Sequence, residues 1–370
     1  MRSIRSRGRR GRGTGTFIAA AAGAMGALAS GAAGSSWNQD GGGNWSAPGN
    51  WTGSVPNSVA AIASLGAVAP DLNDRVVAVD LPVTLGQLSF TGPRTYTLSG
   101  TNALTFNQDG AGTAAATIAV NSGSHSIVAP IVLADTLQIS QDSADPFTLA
   151  GPISGNGRLI ISAAQAFGRG PVVLPVGSSF SGDVVLSNTF YSSPPYSIDP
   201  MAVHVAADSA LGAATNTIEF DGGLLRITSS FTAATGRTFY IPDGGGGVFY
   251  VDSAQTFTLP ASGNLEGSGG MEKAGPGRMV ISGSNDAGPL RILEGFAELR
   301  NTAAVNSGIA LDGGTLELRQ NAPATFSFGV EVNSTGGIDV GRATGFSTDG
   351  LLRIASLFFS NFPTGPKSLT

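Results

Sequence analysis

The chain has 370 residues, no cysteine and a net charge of −5; Gly (54) and Pro (20) make up about a fifth of it, and only 12% is charged. A chain that is 41% hydrophobic is too apolar for a disordered linker, and this one is too rich in turn residues for helices. Without cysteine it can have neither disulfides nor thiolate metal sites, and beyond the leader its Arg and Lys are too scattered to make the basic face that a nucleic-acid partner requires.

The first thirteen residues carry Arg2, Arg5, Arg7, Arg9, Arg10 and Arg12, ahead of the first acidic residue, Asp40. A short apolar run follows over residues 16–29, and Ala27-Leu28-Ala29 places small residues where a signal peptidase cuts. Residues 1–29 are therefore read as an export signal. The run is too short for a permanent anchor, so no transmembrane segment is expected in the mature chain. Gly11-Arg12-Gly13 stands where a twin-arginine signal carries bulky apolar residues, which favours general secretion.

Residues 30–74 form a Trp- and Gly-rich region that holds all three tryptophans, Trp37, Trp45 and Trp51. Flat indoles suit a sugar-stacking platform, which makes these three the candidate glycan-binding residues. Apolar rings at a chain start also suit a cap over the open first coil of a solenoid, and the cap is the favoured reading.

From residue 75 onward, runs such as Val76–Val79, Leu85–Phe90, Thr117–Val120, Thr136–Ile139, Thr217–Phe220 and Val248–Val251 alternate apolar with small or polar residues, the period of half-buried strands. Gly, Asn and Pro punctuate them, and no segment sustains a helical period. Units this short cannot close a core alone, so they must stack on one another. A repeat of about 20 to 25 residues gives on the order of 14 coils. At the sheet spacing such a column is roughly 65 Å long.

Residues 267–285, GSGGMEKAGPGRMVISGSN, followed by Leu290 to Leu299, resemble the autotransporter-associated β-strand repeat of passenger domains and related surface proteins. Asp208-Ser-Ala-Leu-Gly212 and residues 220–225 are similar to the segments that precede that repeat, and residues 151–187 read as a degenerate copy without the glycine-lysine element. The resemblance implies an all-β, right-handed parallel β-helix over residues 75–370, secreted or displayed at the outer surface of a bacterial cell. It carries over no catalytic residues; the expected role is structural or adhesive, with glycans, extracellular matrix or neighbouring cells as partners and no cofactor. No membrane barrel follows Phe328, and the apolar end at Phe358, Phe359 and Phe362 favours a truncated gene product over a released one.

The alternative function is a β-helical polysaccharide lyase or glycoside hydrolase. Hydrolysis needs converging carboxylates, and Asp199, Asp208, Glu219, Asp221, Asp243 and Asp252 are the candidates, although turn-forming Asp residues explain most of them more simply. His125 and His204 are too far apart for a zinc motif and are read as turn or strand-surface residues. Asp243 with the four glycines after it lacks the nonapeptide of calcium-binding β-rolls, so no metal is assigned.

Overall fold

In a computed structural model, residues 34–163, 169–187, 202–305, 307–319, 324–334, 336–341 and 352–359 are described. The export signal and Asp199 lie outside them. Among the described residues, every strand pairing in the sheets is parallel, and the only helical turns are two short 3-10 segments, Pro48–Asn50 and Asp208–Leu211. The chain is a parallel β-solenoid of about 11 turns.

Each coil contributes strands to successive sheets. An 11-stranded sheet begins at Ser35–Ser36 and a 14-stranded sheet at Gly43–Asn44, the latter running on for three coils after the former ends at Asp286–Ala287. Third strands form a 4-stranded sheet early in the chain and a 6-stranded sheet later. Strands this short make no stable pair alone, and their backbone groups are satisfied by the coils on either side.

Burial follows the period of two. Thr217–Asp221, for example, buries Ile218 and Phe220 and leaves the residues between them partly exposed. In the 14-stranded sheet the inward row passes from Phe147 through Val172, Val203, Leu225 and Phe249 to Lys273, Ile292 and Leu311. These side chains, Lys273 apart, join one continuous apolar core from Trp37 to Val332.

The regular repeat expected from the sequence gives way to uneven coils. Leu290 pairs with Ile309, 19 residues on, whereas Val172 pairs with Val203, 31 residues on. The expected single strand over residues 85–90 breaks at Gly86, placing Val83–Leu85 and Gln87–Phe90 in different sheets. Corners of this kind need little room. Gly267 turns one with φ +99°, and a Cβ there would sit 2.0 Å from the Ile241 carbonyl oxygen of the preceding coil.

Buried charges join neighbouring coils. Arg75 is fully buried, pairs with Asp40 and Asp71 at 2.7 Å each, and lies 5.2 Å from the centre of the Tyr96 ring. Arg237, also buried, donates from Nε and Nη2 to the Asp208 carboxylate at 2.6 and 2.9 Å and to three main-chain carbonyls. On the outer side of the 6-stranded sheet, Glu298, Glu317 and Asp339 stand in one register column, and Arg278, Arg300 and Arg319 thread between them.

Candidate functional site

The three tryptophans meet in the first coil. Trp37 and Trp51 touch edge to face at 5.2 Å, and Trp45 and Trp51 at 4.8 Å. Each Nε1 donates to a main-chain carbonyl: Trp37 to Gln39, Trp45 to Pro56 and Trp51 to Trp45. With relative exposures of 2%, 0% and 4%, they offer no open ring face for a sugar to stack on. Iodide should therefore barely quench the fluorescence of the native protein and should quench it strongly after unfolding; strong quenching before unfolding would contradict this packing.

The histidines part company. His125 faces inward, stacked on Phe90 at 4.5 Å, its Nδ1 accepting from the Tyr96 N–H at 3.1 Å and its Nε2 lying 2.6 Å from the Ser122 carbonyl. A donor on one side and an acceptor on the other select the neutral ring with its proton on Nε2, and burial lowers its pKa accordingly. The expectation of a turn or surface position is thus corrected for His125, which is a core residue. His204 lies on the outer row of the 14-stranded sheet next to Arg226, and burial followed by that guanidinium pushes its pKa down to about 4.

Several candidate carboxylates form ion pairs, Asp208 and Asp252 doing so from turn positions. Asp208 binds Arg237, Glu219 binds Arg158 at 2.6 Å, and Asp252 binds Arg226 at 2.8 Å. Asp221 accepts from the Ser187 hydroxyl at 3.1 Å. They do not converge. Among the described residues, no group of three or more His, Asp or Glu is placed to hold a metal ion.

A different feature emerges on the outer face of the 14-stranded sheet. Alternation and register put Gly246, Gly270, Pro289, Gly308 and Gly329 in one outward row across five coils. A row with almost no side chains leaves a trough, and the cavity there measures about 530 Å³. The adjacent outward row, Val248, Glu272, Arg291, Ala310 and Glu331, forms its polar edge. At one end it meets a small apolar cluster of Ala202, Leu224 and Val248, distinct from the main core.

Arg291, on this edge, lies between two carboxylates. Its Nη1 is 3.5 Å from Glu272, and its Nε donates to Asp312. Burial raises the pKa of Glu272 to about 7 against the opposing effect of Arg291, so this carboxyl is half-protonated near neutrality. Directly behind it, Lys273 points inward and donates to the carbonyls of Ala274, Gly275 and Glu294 at 2.8, 2.7 and 3.0 Å. Burial lowers its pKa to about 7, opposed by the negative charge of Glu294.

Comparison with family models, with curated proteins and with solved structures finds no match to the chain. The site is therefore defined by its geometry. Sequence reading missed the trough because its rows are assembled from residues 19 to 24 positions apart, such as Pro289 and Gly308 or Val248 and Glu272. The only local signal was glycine two positions before the central outward residue, as in Gly246 before Val248 and Gly270 before Glu272.

Proposed function

We propose that this chain is an exported, passenger-like β-solenoid with a structural or adhesive role, displayed outside the cell or on its surface. The observation that carries this reading is the uninterrupted 14-stranded parallel ladder over one core, an extended surface built from repetition. The similarity of residues 267–285 to the autotransporter-associated repeat supports it, as does the basic-then-apolar leader over residues 1–29. In this reading the tryptophan cluster caps the first coil, closing the apolar end of the column. Glycans, matrix or neighbouring cells are its partners.

Export is tested by fractionating cells that make a tagged full chain and a version lacking residues 1–29, with protease added to intact cells. The full chain should be outside or protease-accessible, and the shortened one retained inside. Identical distribution of the two would sink the proposal.

A second reading, a polysaccharide lyase or glycoside hydrolase, is favoured by one observation: Arg291, which lines the trough, is flanked by Glu272 and Asp312, and Glu272 is held partly protonated. Glycoside hydrolysis needs one protonated and one ionised carboxyl. Release of reducing ends from a polysaccharide by the purified chain, lost in Glu272→Gln, is the outcome this reading requires.

A further inference from the structure

We propose that the trough on the 14-stranded sheet binds an extended, uncharged polysaccharide whose chain lies parallel to the stacking axis. This deepens the adhesive reading by naming the ligand class and the residues that meet it. Three features of the site lead to it.

The first is the floor. Glycine and proline backbone, with Val248 and Ala310 beside it, offers a shallow apolar surface in a trough only five coils long. Pyranose rings carry apolar C–H faces that need such a surface without projecting side chains. A peptide strand would seek unpaired backbone groups, but here the backbone N–H and C=O groups are already engaged with adjacent coils.

The second is the edge. Coils repeat at about 4.8 Å along the axis, close to the advance of one pyranose in an extended chain. Glu272 and Glu331 stand on this edge three coils apart, and a carboxylate accepts well from the paired hydroxyls of a sugar. Arg291 between them, held by Glu272 and Asp312, completes a polar row along the trough.

The third is charge. Glu331 and the ionised fraction of Glu272 line the trough beside one guanidinium, whose charge Asp312 balances. A polyuronate or sulfated chain would meet like charge along its length, whereas an uncharged chain would not.

The test uses the purified full chain and needs no export, so its failure is separable from failure of the localisation experiment. Soluble β-glucan, xylan and galactomannan serve as neutral probes, and polygalacturonate and alginate as acidic ones, in affinity electrophoresis and titration calorimetry. At least one neutral polymer should bind, and the acidic ones should bind at least tenfold more weakly. Gly270→Leu and Gly308→Leu raise a branched side chain from the floor, where a Cβ at Gly270 meets nothing within 4 Å and at Gly308 nothing nearer than 3.6 Å. Both should keep the parent's unfolding midpoint and lose at least tenfold in affinity. Binding to no neutral polymer, equal binding to polygalacturonate, or full affinity in both correctly folded leucine variants would overturn the proposal.

Discussion

Replacing Phe249 with Ala is expected to remove about 3–5 kcal/mol of stability, the range for deleting a buried aromatic ring from a packed core. Phe249 is fully buried on the inward row, with ring centres of Phe220, Phe239 and Phe257 at 4.9, 5.5 and 5.7 Å. Those rings come from the coil before, its own coil and the third sheet, so the void would open where two coils meet and neither could collapse into it. Solenoid stability is a sum of nearest-neighbour terms, so the damage should be local first. Hydrogen exchange should rise in the strands Leu224–Ile227, Gly246–Val251 and Gly270–Ala274 before it rises in the first five coils. Val76→Ala is the control, because Val76 lies on the outer row of the same sheet and is 54% exposed. Its loss should stay within about 0.5 kcal/mol. A loss below about 1 kcal/mol for Phe249→Ala would mean that the ring does not fill an inward row.

The second large effect is a dependence on pH that comes from two neighbours on one strand. In the unfolded chain Lys273 titrates near 10.5, and in the fold burial brings it to about 7. Between these values the unfolded state binds more protons than the native state, so stability rises with pH, by up to about 1.4 kcal/mol per pH unit. Below pH 7 both states are protonated and the penalty of the buried ammonium is present in full. Glu272 acts in the other direction. Its carboxyl titrates at 4.5 when unfolded and at about 7 when folded, so the native state binds the extra proton and stability falls as pH rises through that window. The contribution of the pair therefore has its minimum near pH 7.

Two variants separate the components. Lys273→Met should remove the rise above pH 7 and, at pH 10, be less stable than the parent, because the neutral amine still has two N–H groups to donate to its buried carbonyls, and each one lost costs about 1–3 kcal/mol. Glu272→Gln should remove the fall between pH 4.5 and 7 while leaving the alkaline limb in place. Denaturant unfolding at intervals from pH 4.5 to 10.5 gives both limbs directly. Parallel curves for parent and Lys273→Met above pH 7 would show that Lys273 is not buried in its carbonyl cage.

How far the fold could be read from sequence follows from the same geometry. Alternation at Thr217–Asp221 or Thr256–Leu259 is a local property of a half-buried strand, so these elements were legible residue by residue. The need to stack was legible too, because such short runs have no other way to bury their apolar sides. Which residues become neighbours was not legible. That depends on coil length, which ranges from 18 residues between Arg278 and Phe296 to 34 between Val184 and Ile218, and uneven loops erase the period. Lys273 illustrates the cost: it sits in a stretch dense with glycine, and only the register with Phe249 and Ile292 reveals that it points inward. His125 is similar, its inward position set by pairing with Phe147. The carboxylates were judged by nearby turn residues, whereas Asp208 is held by Arg237, 29 positions away.

Parallel register between successive coils is the central claim, and the absence of native cysteine makes it directly testable. Three pairs of outward residues lie opposite one another, one pair in each of three sheets: Thr97 and Ser126, Thr117 and Gln138, Thr84 and Thr105. Partners in adjacent parallel strands are about 4.8 Å apart at Cα. A disulfide bridges about 4.4–6.8 Å, so cysteines at each pair should close under mild oxidation. Mass spectrometry of the three double-cysteine variants should find each disulfide formed in the folded protein and lost when oxidation follows unfolding. Free thiols in all three folded variants would contradict the stacked solenoid.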